Sequence, residues 1–148
     1  MSDKATGRCL CGKVRFTSEA ISGVTICHCE ICRRWGSGPG VAAHLDSAPE
    51  ITGGDFITWY ESSDWAERGF CSACGSNLFY RLKGEAPQYF AMAGAYEDQS
   101  GFTLNGQIFI DEKPDYYNFA GDIPAMTGAE VFATFAVKNE SDNPESQS

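Results

Sequence analysis

Seven cysteines fall in three tight groups: Cys9 and Cys11, then Cys27, Cys29 and Cys32, then Cys71 and Cys74. Four thiolates close a tetrahedral structural zinc site, whereas three protein ligands and an open position define a catalytic one. Seven cysteines divide into one site of each kind. The odd count speaks against a disulfide framework, which would leave one thiol over.

Two groups share a detail. Cys9-Leu10-Cys11-Gly12 and Cys71-Ser72-Ala73-Cys74-Gly75 both end in cysteine followed by glycine. Backbone N–H groups that wrap a metal-bound sulfur often need a positive φ just past the last ligand, and glycine adopts it without steric cost. Cys27-His28-Cys29-Glu30-Ile31-Cys32 is followed by Arg33 instead. The glycines therefore favour Cys9, Cys11, Cys71 and Cys74 as the four-sulfur site. It would staple the N-terminal strand to a hairpin about sixty residues away, where constraining a long loop has the larger entropic effect. A competing partition joins Cys29 and Cys32 to Cys71 and Cys74 as a two-CxxC ribbon.

On the first partition, Cys27, Cys29 and Cys32 carry the function. A zinc held by three thiolates can bind an incoming thiol, lower its pKa and keep it as thiolate at neutral pH. The bland alternatives are a second structural zinc completed by His28, His44 or a carboxylate, or three thiols that bind no metal. His28 lies between two ligand cysteines, so its side chain is expected to point away from the metal, at the surface or behind the ligands. His44, within Val41-Ala42-Ala43-His44-Leu45, reads as a hydrogen-bonded strand residue. Arg33 and Arg34 have the chemistry to receive carboxylates by bidentate contact, and read equally as surface salt-bridge partners. Trp35 and the loop Gly36-Ser37-Gly38-Pro39-Gly40 read as a pocket wall or as a plain turn. Glu30 is a proton carrier or a solvated carboxylate.

The elements that must position these residues are short. Val14 to Thr17, Val24 to Cys27, Val41 to Leu45, Ile51-Thr52, Phe56 to Tyr60, Arg68 to Cys71, Asn77 to Leu82, Tyr89 to Ala95 and Gln107 to Ile110 alternate or run apolar between turn residues. Helical periodicity is weak, with a single turn predicted at Glu30 to Trp35 and a short segment at Ala129 to Phe135 after Thr127. Many short strands imply an all-β sandwich or partly open barrel. The 148 residues read as one domain over residues 5–137, followed by an acidic tail from Lys138 to Ser148 expected to be disordered.

The net charge of -9 disfavours nucleic-acid binding, which depends on neutralising phosphates with basic side chains. No stretch is apolar enough for a membrane span, and the first residues lack the apolar core of a signal peptide. The expected compartment is the cytoplasm, where clustered thiols stay reduced and read as metal ligands.

The runs Gly7-Arg8-Cys9-Leu10-Cys11-Gly12-Lys13-Val14-Arg15-Phe16, Cys27-His28-Cys29-Glu30-Ile31-Cys32-Arg33 and Phe70-Cys71-Ser72-Ala73-Cys74-Gly75-Ser76 resemble the glutathione-dependent formaldehyde-activating enzyme family, also called the CENP-V/GFA domain. Gln107 to Tyr117 resembles that family's segment near the end of its domain. The resemblance covers roughly residues 5 to 120. It implies a mainly β, Mss4-like fold around a structural zinc at Cys9, Cys11, Cys71 and Cys74. A catalytic zinc at Cys27, Cys29 and Cys32 is implied as well, two zinc ions per chain in all. The implied activity is carbon–sulfur lyase chemistry on the adduct of a small thiol such as glutathione with an aldehyde such as formaldehyde. A zinc-stabilised binding or chaperone-like module, sharing the fold without catalysis, is the alternative. Such a module needs only the four-cysteine zinc, so the middle group favours the enzyme.

Overall fold

The computed structural model describes residues 3–134. The expected acidic tail, and Phe135 at the end of the expected C-terminal helix, lie outside the described residues. The structure is mainly β, with ten strands among the described residues. Two compact units are present among the described residues: 3–24 with Val41–Leu104, and Thr25–Gly40 with 105–134.

In the first unit, β1 (Lys4–Arg8), β2 (Arg15–Glu19) and β5 (Glu50–Thr52) form an antiparallel three-stranded sheet with β2 central. A second sheet runs in the order β4 (Gly40–His44), β9 (Gln88–Met92), β8 (Asn77–Leu82), β7 (Ala66–Cys71) and β6 (Ile57–Glu61). Its neighbours are antiparallel, and β6 to β9 follow one another in the chain through short connections. Phe16 of β2 and Phe79 of β8 meet edge to face, with ring centroids 5.0 Å apart. Val14, Leu45, Leu78, Ala91 and Tyr96 complete the core with them. Cys9 and Cys71 are buried in the same cluster, so half of the four-cysteine group is set in apolar packing.

β3 (Gly23–Cys27) and β10 (Thr103–Ile108) lead the chain into the second unit. Side chains of a strand alternate between faces, and β3 buries Val24 and Ile26 while leaving Thr25 and Cys27 half-buried. The helix α1 (Glu30–Gly36) follows, one residue longer than the single turn read from the sequence. Its N-cap is Cys29, whose Sγ accepts the Cys32 N–H at 3.3 Å. Ser37, in the left-handed conformation, ends it by donating its N–H to Arg33 O.

A second helical segment, residues 128–134, opens with a reciprocal cap. Thr127 Oγ1 accepts the Glu130 N–H, and Glu130 Oε1 accepts the Thr127 N–H. Most strand ends shift by one or two residues from the sequence expectation, and two shift further. The strand through Tyr89 stops at Met92, because Ala93–Ala95 turns as a 3-10 helix. The one through Gln107 begins at Thr103 and stops at Ile108, before the 3-10 turn Ile110–Glu112. Among the described residues, no helix is long and apolar enough to cross a membrane.

Candidate metal centres

The seven sulfurs gather into two clusters: Cys9, Cys11, Cys71 and Cys74 in the first unit, and Cys27, Cys29 and Cys32 in the second. Within each, the sulfurs lie within 4.8 Å of one another. Cys29 and Cys32 do not join Cys71 and Cys74.

The four-sulfur cluster is built on two tight turns. Gly12 and Gly75 both take positive φ, 83° and 82°. Their N–H groups donate back to Cys9 O and Cys71 O, which closes each turn under its second cysteine. Donors then converge on the sulfurs. The Val14 N–H points to Cys9 Sγ at 3.4 Å, and Ser76 Oγ lies 3.2 Å from Cys74 Sγ. The Ser76 hydroxyl, with the Cys11 and Ser76 N–H groups, draws the Cys74 thiol down to about 5. For Cys11 the Lys13 N–H, the largest single influence, lowers the pKa, but desolvation and the three neighbouring sulfurs together push it up to about 11.

These separations fit a metal. Cys9 Sγ and Cys11 Sγ are 3.6 Å apart, and Cys11 Sγ and Cys71 Sγ 3.8 Å. The edge of a tetrahedron drawn around zinc with ~2.3 Å bonds to sulfur is about 3.8 Å. A disulfide would bring its sulfurs to about 2.05 Å. All seven cysteines are free thiols.

The three-sulfur cluster is half-buried and sits where β3 runs into α1. Hydrogen bonding to Cys29 and Cys32, followed by burial, raises the Cys27 thiol far above its ordinary range. Thiols this close give up their protons together only when a cation takes their place. The backbone of Gly40 backs onto this cluster, since a Cβ there would lie 3.3 Å from Cys32 Sγ.

His28 is wholly buried, which removes the surface alternative for it. Its ring contacts Tyr117 and Gln107 rather than the sulfurs. His44, at the end of β4, bonds Gln88 and packs on Phe90, as a strand residue should. The Glu30 carboxylate accepts from Arg34 Nε at 2.7 Å. The Glu30 N–H, unsatisfied within the helix, donates to Glu112 Oε1.

Beside the helix lies an open cleft of about 380 Å³ lined by Glu30, Arg33, Arg34, Ser37, Gly38 and Tyr116. Ser37 and Gly38 are the part of the expected loop that walls it; Trp35 does not line it. Tyr117, Gln107 and Ser76 carried no assigned role in the sequence reading.

A mainly β chain with one cluster of four thiols and one of three has the make-up of a two-site metal protein. Residues 4–112 match the glutathione-dependent formaldehyde-activating enzyme family, and the chain belongs to that family. It is 33% identical over 126 residues to an uncharacterized lyase of Schizosaccharomyces pombe, a match covering 84% of this chain and 92% of the relative. A crystal structure of a Rhodobacter sphaeroides protein shares the fold, with a TM-score of 0.53 at 22% identity, over 81% of this chain and 98% of that one. The family's description is that of an enzyme, and the relative is named a lyase.

Proposed function

We propose that this protein is a carbon–sulfur lyase acting on the adduct of a small thiol with an aldehyde, S-hydroxymethylglutathione being the leading case. Cys9, Cys11, Cys71 and Cys74 hold a structural zinc in this reading, and Cys27, Cys29 and Cys32 a catalytic one. The observation that carries it is the second cluster. A domain needing only a metal staple has one in the four sulfurs of the first unit, yet three more thiols converge at the head of α1.

When bound at the three thiolates, zinc supplies a Lewis acid that stabilises a substrate sulfur as thiolate. In the lyase direction the adduct's hydroxyl loses its proton to water and its carbon–oxygen bond becomes a carbonyl. The sulfur leaves with the carbon–sulfur electron pair. In reverse, the thiolate adds to the aldehyde carbon and the alkoxide is protonated. No oxidant or reductant is needed.

The chain contributes placement. α1 starts on Cys29 and carries Cys32, so the same helix that presents the sulfurs sets Arg33 and Arg34 along the cleft. Two guanidiniums against the single carboxylate of Glu30 leave this lining positive, which suits a thiol bearing carboxylates.

The test is zinc per chain in protein kept reduced throughout, followed by cobalt substitution and addition of glutathione. Two metals per chain, and cobalt bands that shift with the thiol, are expected. One metal per chain, indifferent to thiol, would reduce the protein to a zinc-stapled β-domain.

A further inference from the structure

His28 has no part in that chemistry, yet every polar atom it owns is engaged. Its backbone N–H donates to Ile108 O at 3.0 Å, and its carbonyl accepts Arg33 Nε at 2.9 Å. Its ring nitrogens meet Tyr117 Oη and Gln107 Oε1, each at 2.9 Å. The directions follow from the donors available. Gln107 Nε2 donates to Ile123 O, which leaves Oε1 facing the ring. An amide oxygen only accepts, so Nε2 of His28 carries hydrogen, and in the neutral ring Nδ1 accepts a hydrogen bond from the Tyr117 hydroxyl.

Both partners are themselves held. Gln107 exchanges backbone hydrogen bonds with Pro124 O and the Met126 N–H. Tyr117 stacks on the imidazole, centroids 5.6 Å apart, and its carbonyl accepts Lys113 Nζ at 2.6 Å. The alternation that buries Val24 and Ile26 along β3 continues to His28, with Cys27 and Cys29 at the intervening positions half-buried. The four-sulfur cluster has a positive-φ glycine under each turn; the three-sulfur cluster has none. Its order must come from elsewhere.

We infer that His28 is a positioning residue for the three-sulfur cluster: its ring, tied to Tyr117 and Gln107, fixes the Cys27–Cys29 turn so that the two flanking sulfurs are presented together with Cys32. This rests on the reading that the cluster holds a metal. Groups behind metal ligands commonly govern affinity by about ten- to a hundredfold.

The experiment uses the full chain carrying Tyr117→Phe or Gln107→Met, each of which removes one anchor and keeps side-chain bulk. Co(II) is the probe, with its d–d and sulfur-to-cobalt bands recorded beside a melting curve. Each variant is expected to keep the melting curve and the first cobalt equivalent. It should bind the second equivalent about tenfold or more weakly, with shifted bands. Wild-type bands and affinity in both variants would overturn the inference. So would loss of both cobalt equivalents with loss of fold in both, which would make His28 a core residue only. The two readings fail separately: second-site cobalt that ignores glutathione in the wild type sinks the lyase reading alone. A normal thiol response in the wild type, beside wild-type second-site affinity and bands in both variants, sinks the positioning role alone.

Discussion

Ser76 Oγ accepts the backbone N–H of Leu10 at 2.9 Å across 66 residues of sequence. The same hydroxyl lies 3.2 Å from Cys74 Sγ. Accepting from Leu10 leaves the hydroxyl hydrogen free to point at the sulfur. One small side chain thereby ties the Cys9–Cys11 turn to the Cys71–Cys74 turn and stabilises a thiolate.

Ser76→Ala should therefore weaken the four-sulfur site. Loss of the bond to Leu10 costs about 1 kcal/mol of stability, and zinc should leave the four-sulfur site to a competing chelator about tenfold faster. A melting curve and release rate equal to wild type would show that the hydroxyl is dispensable.

Cys71→Ala and Cys29→Ala should separate the two clusters. Cys71 is buried in the core, so its loss is expected to unfold or aggregate the protein. Cys29→Ala should abolish activity and leave the melting transition cooperative. Equal damage to the fold from both would mean that both clusters are structural.

Gly40→Ala places a methyl group 3.3 Å from Cys32 Sγ. The sulfur must shift by a few tenths of an ångström, and misplacement at a reacting centre lowers rate steeply. A fall in kcat of roughly tenfold is expected with a nearly unchanged melting midpoint. Unchanged turnover would show that Cys32 has room to adapt.

Metal removal should proceed in order. The three-sulfur cluster is half-buried throughout, whereas Cys9 and Cys71 sit in the core. Timed chelation is expected to take one zinc with the activity first, and the second only as the fold is lost. Simultaneous loss would contradict the division of roles.

Much of the site was legible because its signals are local. The positive φ of Gly12 and Gly75 follows from glycines placed directly after cysteines, and the helical segment 128–134 starts directly after Thr127. β1 was not legible: Lys4–Arg8 has no large apolar residue, and it forms because β2 supplies a partner. Nor were Gln107 and Tyr117, which meet His28 from 79 and 89 residues away without a local pattern to announce them. The segment after Ala120 carries no motif, yet its backbone at Pro124 and Met126 is what holds Gln107.

A helix of seven residues is too short to persist on its own in water. α1 begins on the sulfur of Cys29, so that atom is at once a thiol of the cluster and the clasp of the helix that bears Arg33 and Arg34. Alkylating or oxidising it would unfasten both. On the proposed reading, a damaged molecule would then lose its grip on an anionic thiol together with its reactivity, and would not linger as a binder that sequesters substrate without turning it over.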